Sequence, residues 1–135
     1  MLLVDTSVWI DFLNGYESAE AKYLANGIAD NQPMVVAGIV LTEILAGLRS
    51  EAEADRVGKL LLDVFEFTPD LTRSDYVAAA KIYRACRAGG ATLRSTVDCL
   101  IAQVCLRDSL TLLTKDRDFI AIAKCAPLKL ARMPA

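Results

Sequence analysis

Five short apolar runs punctuate this chain: Leu2–Val4, Met34–Ala37, Val64–Phe67, Thr111–Leu113 and Leu128–Leu130. Continuous rather than alternating, they read as strands buried on both faces. Between them the apolar residues recur at helical spacing. Ser18–Ala29 is amphipathic, Val40–Leu48 is largely apolar, and Ala52–Val64 sets Val57, Leu60, Leu61 and Val64 on one face. Ser74–Ala88 has Thr72 as a cap and Gly89-Gly90 as a stop; Ser95–Arg107 carries Val97, Leu100, Ile101 and Val104 at helical spacing; Asp116–Lys124 closes the series. This alternation predicts an α/β fold, a central short parallel sheet of about five strands flanked by helices on both faces. With 135 residues and no repeat, linker or low-complexity tract, one domain over 1–135 is expected.

Several function classes are excluded by residues the chain lacks or spaces badly. There is no histidine, which removes Ser-His-Asp and Cys-His nucleophiles and imidazole acid/base chemistry. Cys86, Cys99, Cys105 and Cys125 show no Cys-x-x-Cys spacing, so zinc is not expected, and all four are read as small apolar core residues in a reducing compartment. The longest charge-free run, between Asp30 and Glu43, is too short for a bilayer span. A soluble cytoplasmic protein is expected, without membrane contact. Net charge is −2, but residues 1–72 hold 12 Asp/Glu against 4 Lys/Arg and residues 73–135 hold 5 against 11. A basic second half suits either a polyanion-binding face or complementary halves of one fold.

In open α/β sheets the functional crevice lies beyond the carboxyl ends of the strands. Four acids sit there. Asp5 follows the first strand, Glu43 is the only charge in "AGIVLTEILAG", Asp98 opens "STVDCLIAQV", and Asp116 follows "LTLLT". Three of them could simply cap helices, with Ser95-x-x-Asp98 fitting a capping box. Glu43 resists that reading, since a carboxylate in an apolar helix should not be buried alone. A cation explains all four at once: clustered carboxylates repel unless neutralised, and an oxygen-only set suits Mg²⁺ or Mn²⁺. Such an ion can orient a phosphodiester and activate water without imidazole. Asp118 is read as a cap or supporting group.

"LLVDTSVWIDF", "LTEILAGL", "STVDCLIAQVC" and "LLTKDRDF", in that order, resemble the motifs of PIN-domain nucleases, specifically the VapC toxins of bacterial type II toxin–antitoxin systems. The resemblance runs over nearly the whole chain and carries the family's acids onto Asp5, Glu43, Asp98 and Asp116. It implies Mg²⁺ held chiefly by Asp5 and Asp98, with Asp116 as a further ligand and Thr6, Ser7 and Thr114 as supporting hydroxyls. It also implies endoribonuclease activity on tRNA or ribosomal RNA, and inhibition by a cognate VapB-like antitoxin. A homodimer or a toxin–antitoxin hetero-oligomer is the implied assembly. Arg84, Arg87, Arg94, Lys115 and Arg117 are candidates for RNA phosphate contacts.

Rival readings fare worse. A haloacid-dehalogenase phosphotransferase wants a second Asp where Ser7 stands, and a response-regulator receiver wants an acidic pair after the first strand. A non-catalytic interaction domain predicts no RNA cleavage. Trp9, Phe12, Leu13, Tyr16, Tyr23 and Leu24 are read as an apolar surface for the antitoxin, Trp9 also being a candidate for the core.

Overall fold

The computed structural model describes residues 1–134. Its five strands are β1 (Leu2–Val4), β2 (Met34–Val36), β3 (Glu66–Phe67), β4 (Thr111–Leu113) and β5 (Lys129–Leu130), ordered β3-β2-β1-β4-β5. Every neighbouring pair is parallel. The predicted sheet is therefore present.

Connection order fixes the layers. From β1 the chain steps outward to β2 through α1 (Thr6–Leu13) and α2 (Ala19–Ala29), then to β3 through α3 (Gly38–Ala46) and α4 (Glu51–Val64). It next crosses back to β4 through α5 (Arg73–Ala88) and α6 (Val97–Asp108), and reaches β5 through α7 (Arg117–Cys125). Right-handed crossovers put the first four helices on one face and the last three on the other. The packing agrees: α1 meets α2 and α3, and α3 meets α4, whereas α5, α6 and α7 pack together. The order reverses at β1, with β2 on one side and β4 on the other. That switch point opens a crevice beyond the ends of β1 and β4.

Leu3, Leu112, Leu113, Ile101, Phe119 and Ile122 are fully buried on either side of the central strands. Ser18, Ser50 and Thr72 cap α2, α4 and α5, the last in a complete capping box with Asp75. α5 ends in a Schellman arrangement: Gly90 takes φ +91°, its N–H bonds Arg87 O, and Ala91 N–H bonds Cys86 O.

The structure corrects four expectations. Val64 belongs to α4, not to a strand, leaving β3 only Glu66–Phe67. The buried stripe of α4 is Val57, Gly58 and Leu61, with Leu60 and Val64 in solvent. Gly58 faces Leu45, whose Cδ1 would stand 3.4 Å from a Cβ at that position. The early apolar residues are mostly core. Trp9 packs edge-on against Phe12 and Phe65, Leu24 is fully buried, and Phe12, Leu13 and Tyr23 pack on the core, so Tyr16 alone of the six is exposed. Exposed apolar side chains stand instead on α4 (Leu60, Leu62, Val64) and α5 (Tyr76, Val77). Finally, Cys86 and Cys125 form a disulfide, while Cys99 and Cys105 are free and buried. The α5–α7 contact brings the bonded pair to a Cα separation of 5.7 Å across 39 residues of sequence, which spacing alone does not reveal.

Candidate functional site

β1 gives out after Val4, and Asp5 turns the chain into α1. Its carboxylate is almost wholly buried (4 % exposed). Three hydrogen bonds converge on its Oδ2: from Ser7 Oγ at 2.7 Å, from the Ser7 N–H at 3.3 Å, and from Thr114 Oγ1 at 3.1 Å. The Asp5 N–H meanwhile bonds Leu113 O at 2.8 Å, so one residue joins the ends of β1 and β4. Burial raises the Asp5 pKa and the hydroxyl bonds oppose it. Capping and clustering are thus not alternatives here, since Asp5 caps α1 and still lies in the crevice.

The other acids arrive from three more elements. Glu43 projects from the second turn of α3, and its Oε1 accepts from Thr6 Oγ1 at 2.7 Å, which answers how an apolar helix tolerates it. Asp116 caps α7 by accepting the Asp118 N–H at 3.0 Å, and its own N–H is held by Thr114 Oγ1 at 3.0 Å. Asp98 lies in the first turn of α6 but does not form the expected capping box. The helix begins at Val97, whose N–H is taken by Ser95 Oγ at 3.0 Å, and the N-cap Thr96 makes no side-chain cap bond.

Asp98 reports most clearly on the cluster. Its pKa is pushed up to about 7, first by burial and then by the charges of Asp116, Asp5, Asp118 and Glu43. Burial and the charges of four neighbouring carboxylates thus oppose ionisation of Asp98. One carboxylate oxygen each from Asp98, Asp116 and Asp118 lies within 4.8 Å of the other two. Asp118, read from sequence as a supporting group, belongs to this tightest trio, whereas Asp5 sits beside it. An all-oxygen set crowded to that distance fits a hard divalent cation. Helix N-termini of α1, α6 and α7 all point into the crevice and offset part of the repulsion.

The basic candidates divide. Arg84, Arg87 and Arg117 are exposed, Arg87 lying 5.9 Å from the Tyr83 ring centroid. Lys115 is engaged: its Nζ pairs with Asp11 Oδ2 and lies 5.2 Å from the Tyr16 ring centroid. Arg94 bridges Asp116 (2.8 Å) and Asp118 (3.1 Å). Sequence reasoning missed Asp11, a buried acid on α1, and its link to the β4–α7 loop; no local pattern marks that pair.

The PIN domain family model matches residues 2–124. VapC ribonuclease Mb1587 of Mycobacterium bovis and ribonuclease VapC11 of Mycobacterium tuberculosis are each 30% identical over 132 residues, covering 97% of this chain and 98% of the relative. Among solved structures, VapBC2 from Rickettsia felis bound to a DNA fragment from their promoter superposes with a TM-score of 0.74 at 17% identity, covering 96% of each chain. FitAcB from Neisseria gonorrhoeae gives 0.70 at 20% identity, covering 98% of this chain and 97% of that one. With this match, this identity and the crevice acids in place, the chain belongs to the PIN-domain family and, within it, to the VapC ribonucleases.

Proposed function

We propose that this chain is the toxin of a type II toxin–antitoxin pair, a Mg²⁺-dependent cytoplasmic endoribonuclease acting on tRNA or ribosomal RNA. Residues 1–135 then form a single PIN domain. The observation that carries the reading is the crowding of one oxygen each from Asp98, Asp116 and Asp118 within 4.8 Å of one another, with Asp5 joined to Asp116 through the Thr114 hydroxyl. Support for a VapB-like antitoxin comes from the VapBC complexes among the structural neighbours. The assembly is a homodimer or a toxin–antitoxin hetero-oligomer.

Asp5, Asp98 and Asp116 would hold the ion, and Asp118 stands in the same cluster. A bound Mg²⁺ supplies charge neutralisation at the scissile phosphate and an acidified water. The protein's part is positioning. Ser7 and Thr114 fix the Asp5 carboxylate, Thr6 fixes Glu43, and the cap bond to Asp118 fixes Asp116. Arg84, Arg87 and Arg117 offer exposed charges to the RNA backbone. With no imidazole in the chain, hydrolysis by water is the expected course, leaving 5′-phosphate and 3′-hydroxyl ends.

The test is cleavage of total tRNA and ribosomal RNA with Mg²⁺, with EDTA, and by Asp5→Asn and Asp98→Asn. Cleavage should require Mg²⁺ and fall at least about a hundredfold in either variant. Cleavage that survives EDTA, or products ending in 2′,3′-cyclic phosphate, would refute the mechanism.

A further inference from the structure

Arg94 is held in an unusual way. Its side chain is 73% exposed, so no apolar burial fixes it. Three hydrogen bonds to the acidic cluster do. The backbone N–H and Nε both reach Asp118 Oδ2, at 3.3 and 3.1 Å, and Nη2 reaches Asp116 Oδ1 at 2.8 Å. The Schellman turn at Gly90 and the buried Leu93 deliver this residue to the start of α7. The two acids are gripped differently. Asp118 is bound partly through the Arg94 main chain, a contact that survives if the side chain swings away. Asp116 is bound by the guanidinium tip alone, on the same oxygen that accepts the Asp118 N–H.

We infer that Arg94 is a built-in counter-cation that competes with the divalent ion for Asp116 while staying tethered to Asp118. This rests on the metal-dependent reading above. An ion ligated by Asp98 and Asp116 would lie within a few ångströms of the guanidinium, and like charges at that range repel even under solvent screening. A divalent ion held there would compete with Nη2 for the negative charge of Asp116, and by reciprocity the guanidinium would lower its affinity. The contrasting role, a residue that only orients Asp116 for the metal, has the opposite sign: its loss would weaken binding.

The experiment is calorimetric titration of Mn²⁺ alone, without RNA, into the full chain and its R94Q and R94K variants. Thermal unfolding in EDTA confirms that each variant is folded. R94Q should bind Mn²⁺ about tenfold more tightly than wild type, and R94K, which keeps the charge, should lie between them. Equal or weaker Mn²⁺ binding by R94Q overturns the inference while leaving the nuclease reading intact. Absence of Mn²⁺ binding in all three proteins, with RNA cleavage insensitive to EDTA, overturns both.

Discussion

Replacing Asp98 by Asn should make the metal-free protein more stable, although the substitution removes a central carboxylate. Asp98 has a folded-state pKa of about 7 against an ordinary 3.8, so the native state binds that proton more tightly than the unfolded chain. The associated penalty is absent below the ordinary value, grows as pH rises, and is complete above about 7. At about 1.4 kcal/mol per pH unit, the gap sets a ceiling of about 4 kcal/mol. Asp98 keeps some contact with solvent, and screening cuts this to about 2 kcal/mol. Against it stands the lost favourable charge in the first turn of α6, worth at most about 1 kcal/mol. The net gain is about 1–2 kcal/mol, or an unfolding midpoint about 3–6 °C higher. The assay is thermal unfolding of both proteins in EDTA between pH 5 and 8.5. The difference should be largest at pH 8 and shrink toward pH 5, where wild type carries the proton itself. A pH-independent difference, or a less stable Asp98→Asn protein at pH 8, would refute the claim that carboxylate repulsion strains this site.

Lys115→Met should cost about 1–3 kcal/mol in urea unfolding, because buried Asp11 then loses its counter-ion; unchanged stability would mean that the pair is incidental. Reductant should destabilise the wild-type chain by about 3 kcal/mol, since Cys86–Cys125 closes a long loop, while Cys86→Ser should be insensitive to it. Arg107→Ala should lower the urea midpoint and raise protease cleavage near Asp70. The Arg107 guanidinium binds Asp75, Asp108 and the carbonyls of Pro69 and Asp70, holding the β3–α5 connection to α6.

What could be read from sequence is local. Asp5 and Asp116 lie just past strand ends, Glu43 lies in the helix that follows β2, and Asp98 opens α6, so element positions sufficed to choose them. The three central strands were legible because their runs carry no charge, whereas the edge strands β3 and β5 include Glu66 and Lys129 and are only partly buried. Side-chain partners across elements were not. Arg94 reaches Asp116 and Asp118 over more than twenty residues, Lys115 reaches back to Asp11, and Cys86 finds Cys125 only because α5 and α7 pack. The capping-box reading of Asp98 failed because α6 begins two residues after Ser95, giving Ser95 Oγ the Val97 N–H. The buried stripe of α4 falls on Val57, Gly58 and Leu61 because of how α4 meets α3, which the helix's own periodicity does not encode.

The Cys86–Cys125 bond straddles the exposed turn at Gly89 and Gly90. A protease nick in that turn would therefore leave two fragments still covalently joined. The first carries Asp5 and Glu43, the second Asp98, Asp116 and Asp118. Such a nicked molecule would run as one band in a non-reducing gel and as two after dithiothreitol. The turn is thus a place to insert a label or a recognition tag with the two halves of the crevice still linked, and thiol reagent together with denaturant becomes the means of releasing one half from the other.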